Sequence, residues 1–214
     1  MKLKFTIGLC LICFLHLVYS CKQSAKPSSS DKTDSQLIVK VIPKNEYDKE
    51  SFPSKMIKRD IKKTGLLSLD NGYDSMFIRL WYTYSATKQV VELRKTLGKW
   101  NAVFHSIELG VVDNEISITN TTSIQGYPKS NWNVFTDKLF SLDILNLPDK
   151  SDLYNYNVDA DGNFVVVEVA TKNKYRIYSY SLPYIHLEFP EAVKMENIMK
   201  LIEEEFGVLR DEKL

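Results

Sequence analysis

The sequence predicts an α+β domain: an antiparallel, hairpin-rich sheet of six to eight strands packed with two helices, at about residues 130–142 and 190–206. Short β-branched and aromatic runs are separated by Gly, Pro, Asn and Asp turn residues, as strands joined by hairpins require. Two later segments instead repeat apolar residues every three or four positions, the period of a helix with one buried stripe. The strand–helix alternation of parallel α/β folds does not appear.

Taken in order, Leu37–Ile42 is a short apolar strand candidate that Pro43 ends. The stretch from Tyr47 to Lys63 is basic, weakly periodic and interrupted by Pro53, and the pattern assigns it no element. Leu66–Leu69 and Met76–Tyr84 flank Asp70-Asn71-Gly72, a turn signal, and read as a hairpin. Gln89–Lys95, Gly98 and Trp100–Leu109 read as a second hairpin, and the alternating, Thr-rich Ile116–Ile124 as a further strand. Ser130 is a candidate cap for a helix carrying Trp132, Phe135, Leu139 and Leu142 on one stripe. Phe164–Ala170 and Tyr175–Leu182 form a hairpin around Thr171–Lys174. Pro190 opens a last helix, with Met195, Ile198, Met199, Ile202 and Phe206 on one face and Gly207 as its stop.

Composition bounds the function. The chain has 214 residues, 44% of them hydrophobic, which suits one domain with a tail. Lys plus Arg number 28 against 27 Asp plus Glu, so no general electrostatic drive toward nucleic acid exists.

The amino terminus carries an address. Lys2 and Lys4 precede an apolar run from Ile7 to Tyr19, too short for the roughly 20 residues a spanning helix needs. Leu17-Val18-Tyr19-Ser20-Cys21 resembles the lipobox of bacterial lipoproteins, with aliphatic Val18, small Ser20 and the cysteine in place. The resemblance covers the signal and Cys21, about a tenth of the chain. It implies removal of residues 1–20 as a signal peptide, a diacylglyceryl group on the Cys21 sulfur, acylation of the new amine and anchoring in a bilayer of the cell envelope. Lys22, rather than aspartate, follows the cysteine, which in such families favours the outer membrane. Several acyl chains hold a protein where one binds marginally, since each buried methylene contributes about 0.8 kcal/mol.

Residues 21–36 then read as the lipidated cysteine and a flexible tether, because Lys22–Gln36 contains almost nothing apolar to offset its ordering entropy. Residues 37–214 form the domain. Cys10 and Cys13 leave with the signal, so the mature body holds neither an internal disulfide nor a free thiol nucleophile.

Within the body, two alternating patterns draw attention as a ligand-binding platform: Arg79 and Trp81 on one strand, Arg176, Tyr178 and Tyr180 on another. Residues two apart on a strand face the same way, and guanidinium and aromatic planes suit a sugar ring or a peptide. The alternative is that they pack beneath a helix with their polar tips satisfied. Asn157, Asp159, Asp161 and Glu168 fit the spacing of a calcium loop and resemble an EF-hand loop, which would make calcium the one candidate cofactor. A strand through Glu168 would carry it roughly 23 Å from Asp161, and Asp-Ala-Asp-Gly equally suits a turn. His105 and His186 sit in no short metal motif and read as structural. Lys55, Lys58, Arg59, Lys62 and Lys63 make a positive cluster suited to solvent or to anionic headgroups, and Glu203–Glu205 a solvated acidic run. No Gly-x-Ser-x-Gly elbow, phosphate loop or dinucleotide fingerprint occurs.

The reading that results is a membrane-anchored envelope lipoprotein, a non-catalytic module binding a glycan, a peptide or an envelope protein. The alternatives are an envelope hydrolase using dispersed carboxylates, and an inhibitory or structural envelope protein.

Overall fold

The computed structural model describes residues 37–45, 47, 49–83, 87–156 and 164–207. Its elements are β1 (Val39–Val41), α1 (Phe52–Thr64), β2 (Met76–Tyr82), β3 (Thr87–Thr96), β4 (Lys99–Val112), β5 (Glu115–Gly126), α2 (Trp132–Ser141), β6 (Phe164–Thr171), β7 (Lys174–Ser181) and α3 (Pro190–Phe206). The strands form one sheet in the order β1-β7-β6-β2-β3-β4-β5. Every neighbouring pair is antiparallel except β1 with β7. The α+β class with hairpins is therefore the fold.

Side chains alternate across the sheet, so each strand feeds two cores. One face carries Leu80, Val91, Val167 and Tyr178 against Phe135 and Leu139 of α2 and Met195, Ile198 and Ile202 of α3. The other carries Phe77, Trp81, Val90, Ile107 and Val166 against Met56, Ile57 and Ile61 of α1. Strands β2, β6 and β7 are buried almost throughout because helices cover them on both faces.

Three elements depart from the sequence expectation. Helix α1 occupies the unassigned basic stretch; Pro53 stands in its first turn, where a missing N–H costs nothing, and Gly65 closes it at φ 71°. Leu66–Leu69 is not a strand: β2 takes β3 and β6 as its partners, while Tyr73 N donates to Thr171 O and holds this segment against the end of β6. The cap of α2 is Asn131, whose Oδ1 accepts from Val134 N, and not Ser130. Glu205 also leaves the expected solvated run, since it is buried and its Oε2 accepts from Ser130 N at 2.8 Å. Among the described residues no helix is long and apolar enough to cross a membrane.

Candidate functional site

The five platform residues do not share a surface. In register, Arg79 opposes Glu168 and Glu168 opposes Ile177, so Arg79 and Trp81 lie on the α1 face while Arg176, Tyr178 and Tyr180 fall on the other. All five are buried. The open platform is thus replaced by two internal arrangements.

On the α1 face Arg79 reaches a carboxylate on each flanking strand. Its Nε donates to Glu92 Oε1 at 2.8 Å, Nη1 to Glu168 Oε2 at 3.0 Å, and Nη2 to the Leu67 carbonyl at 2.7 Å. Glu168 also accepts from Trp81 Nε1 and from the Tyr175 hydroxyl, both at 2.9 Å. Glu92 further receives Arg94, and His105 Nε2 lies 3.3 Å from its Oε2. Burial alone would raise the Glu92 pKa, but His105, Arg79 and Arg94 outweigh it and hold the carboxyl down at about 2. His105 Nδ1 completes the chain 2.7 Å from Ser123 Oγ. This network orders the sheet's centre.

On the opposite face β7 grips a loop. Arg176 donates to the carbonyls of Leu145 (2.6 Å) and Leu147 (2.5 Å), Tyr178 to that of Ile144 (2.6 Å), and Tyr180 to that of Pro148 (2.8 Å). The stripe read as a binding face is therefore a clamp on the segment after α2, and its hydroxyls and guanidinium satisfy main-chain acceptors that would otherwise be buried unpaired. Burial raises the Tyr178 and Tyr180 pKa values, which keeps both phenols protonated as donors.

From Pro148 the loop turns around the edge of the sheet. Strand β1 pairs with β7 only as far as Val41 and Arg176, because Pro43 cannot extend the ladder. Beyond that point the turn Asp149–Asp152 takes over the edge: Asp149 Oδ2 accepts from Ser179 N at 2.7 Å and Ser179 Oγ at 3.1 Å. Asp149 Oδ1 accepts from Ser151 N, and Asp152 returns a carboxylate to Asp149 N, which locks the turn as a capping box. Next to it Lys150 is buried, donates to Ser181 Oγ and lies 5.7 Å from the Phe164 ring. Desolvation lowers its pKa, and Asp149 opposes that effect.

Between the end of β1 and this turn opens a cleft of about 610 Å³. Val41–Asn45 form one wall, Asp149, Ser151 and Asp152 the other, and Arg176 with Ile177 the floor. Arg176 Nε is buried without a hydrogen-bond partner among the described residues. Cationic, anionic, hydroxyl and amide groups converge on a volume within the usual range for small ligands. The sequence signalled only Arg176; Asp149, Ser151 and Asp152 carried no signal, because nothing local shows that a turn will replace a strand.

Of the calcium-loop residues, Asn157, Asp159 and Asp161 lie outside the described residues. Glu168 is committed to Arg79, Trp81 and Tyr175. Among the described residues no group of three His, Cys, Asp or Glu side chains is placed to hold a metal ion. His186 packs at a tilt against Tyr156, with ring centroids 4.3 Å apart, whereas His105 belongs to the carboxylate network. Compared with protein-family models, curated proteins and solved structures, the chain matches none.

Proposed function

We propose that this chain is a lipid-anchored protein of the bacterial cell envelope, attached through acylated Cys21 to the outer membrane, whose body binds a ligand or partner without chemistry of its own. The anchor rests on the Leu17–Cys21 pattern. The binding role rests on one observation: the cleft between β1 and the Asp149–Asp152 turn, where the sheet edge changes partner and polar groups of both charges meet. A short peptide or a glycan suits its volume and mixed polarity.

Two measurements test the parts separately. Fatty-acid labelling should mark the parent chain and not Cys21→Ser, which should also move from membrane to soluble fractions; label on both would end the lipidation reading. A photo-crosslinker at Ser151 should capture a neighbour in intact cells, and Ser151→Arg, which fills the cleft without removing a side-chain hydrogen bond, should abolish retention of that neighbour. Equal capture from Lys138 on α2 would refute the cleft.

A further inference from the structure

Helix α1 carries Lys55, Lys58, Arg59, Lys62 and Lys63, the spacing i, i+3, i+4, i+7, i+8 that places all five on one side of a helix. The opposite side is the buried one, with Met56, Ile57, Asp60 and Ile61 against the sheet. The helix has a single acid, Asp60, which is buried and receives Lys88 at 2.5 Å. Arg59 Nε reaches the same carboxylate at 3.2 Å, and Lys58 pairs with Glu50 at 2.7 Å. Among the described residues two carboxylates form ion pairs with this stripe and Lys88, and Asp70 acts on Lys58 from further away, on a chain whose formal charge is only +1. The charge is concentrated here and nearly balanced elsewhere.

Two partly exposed apolar side chains lie near the ends of the helix, Phe52 with its ring edge-on to Phe164 at 6.2 Å. Phe52 opens the helix 68% exposed, and Leu67, two residues beyond Gly65, is 51% exposed. Because the apolar side of α1 is used in the core, what it offers a bilayer is its basic side, and clustered lysines and arginines are what a surface of anionic headgroups attracts.

We infer that the outer face of α1 docks on anionic lipid headgroups. The inference rests on the anchored reading, which brings the body to a bilayer surface. Charge complementarity selects the occupant: phosphate and carboxylate headgroups repeat across a surface, as five cations in nine residues require, whereas a single small anion would engage one or two of them. Contact made this way weakens with salt, because the screening length falls from about 10 Å at 0.1 M to 3 Å at 1 M.

The acylated full chain in vesicles tests it. Lys55→Cys, carrying a fluorescent donor, is compared in neutral phosphatidylcholine vesicles and in vesicles with 30 mol% phosphatidylglycerol, with acceptor-labelled headgroups in both. Energy transfer should be about twofold higher in the anionic vesicles, return to the neutral value in 1 M salt, and do so at low salt in the Lys62→Glu, Lys63→Glu background. A donor at Lys138 on α2, on the other face of the sheet, should not respond. Equal transfer in both vesicle types, or transfer indifferent to salt and to charge reversal, overturns the docking face. The anchor is judged apart from it: a parent chain that fails to float with neutral vesicles, or whose Cys21 takes the thiol label, refutes the lipid attachment instead.

Discussion

Arg79 and Glu168 stand directly opposite each other across the β2–β6 ladder, and Nη1 of the first lies 3.0 Å from Oε2 of the second with both side chains buried. Taking two charges out of water is costly, and removing one partner leaves the other uncompensated in a low-dielectric interior. Glu168→Ala would remove the acceptor shared by Arg79 Nη1, Trp81 Nε1 and the Tyr175 hydroxyl, leaving Arg79 with Glu92 as its one carboxylate. We expect a loss of about 3–5 kcal/mol in urea unfolding, and a smaller one for Glu168→Gln, which keeps an acceptor.

Glu92, the other carboxylate on Arg79, gives the network a pH signature. Its folded pKa of about 2 lies below the ordinary glutamate value of 4.5. A depressed carboxylate stabilises the fold above the unfolded pKa, and the contribution is lost as pH falls from about 4.5 to 2. The stability gap between the parent chain and Glu92→Gln should therefore narrow across that window, by about 3 kcal/mol. A gap that stays constant from pH 5 to pH 2 would show that the ion pairs do not set it.

The β7 clamp predicts a local loosening rather than global unfolding. Tyr178→Phe leaves the Ile144 carbonyl buried without its donor, at a cost of about 1–3 kcal/mol. Amide exchange should accelerate most at Asn146 and Leu147, whose N–H groups donate to Asp143 O within the held loop. Uniform acceleration across the sheet would contradict a clamp.

Two glycines separate backbone strain from crowding. Gly65 and Gly72 both have positive φ, 71° and 80°, but a Cβ at Gly65 meets nothing within 4 Å, while at Gly72 it falls 2.8 Å from the Thr171 carbonyl oxygen. Gly65→Ala should cost about 1–2 kcal/mol for the left-handed backbone. Gly72→Ala should cost roughly 1–3 kcal/mol more, since the main chain of β6 must give way.

Calcium is the last case. Both oxygens of Glu168 already accept hydrogen bonds, Oε1 from Tyr175 and Oε2 from Arg79 and Trp81, so it is not available to close a coordination shell. Melting temperatures in chelator and in millimolar calcium should agree; a rise with calcium would revive the loop.

Periodicity made the hairpins β3–β4 and β6–β7, the long β5 and helices α2 and α3 readable, because each buries a regular stripe. Helix α1 escaped it. Its buried side has three large apolar residues, and its outer side is so basic that the segment reads as polar throughout. Leu66–Leu69 misled in the opposite sense: apolar and next to a turn, it packs at the end of the sheet instead of joining it. The site was legible only in part. Arg176, Tyr178 and Tyr180 stood out by spacing, yet alternation on a strand says which residues share a face and not whether a loop will cover it. The carbonyls that occupy them come from some thirty residues earlier in the chain.

The parallel strand β1 has a mechanical consequence. Three residue pairs, Val39 with Lys174 to Val41 with Arg176, join it to β7, while the ladders behind it run to seven pairs or more. A pull arriving from the amino-terminal side is therefore carried first by this short seam. It should part before the central strands feel tension, taking one wall of the cleft with it.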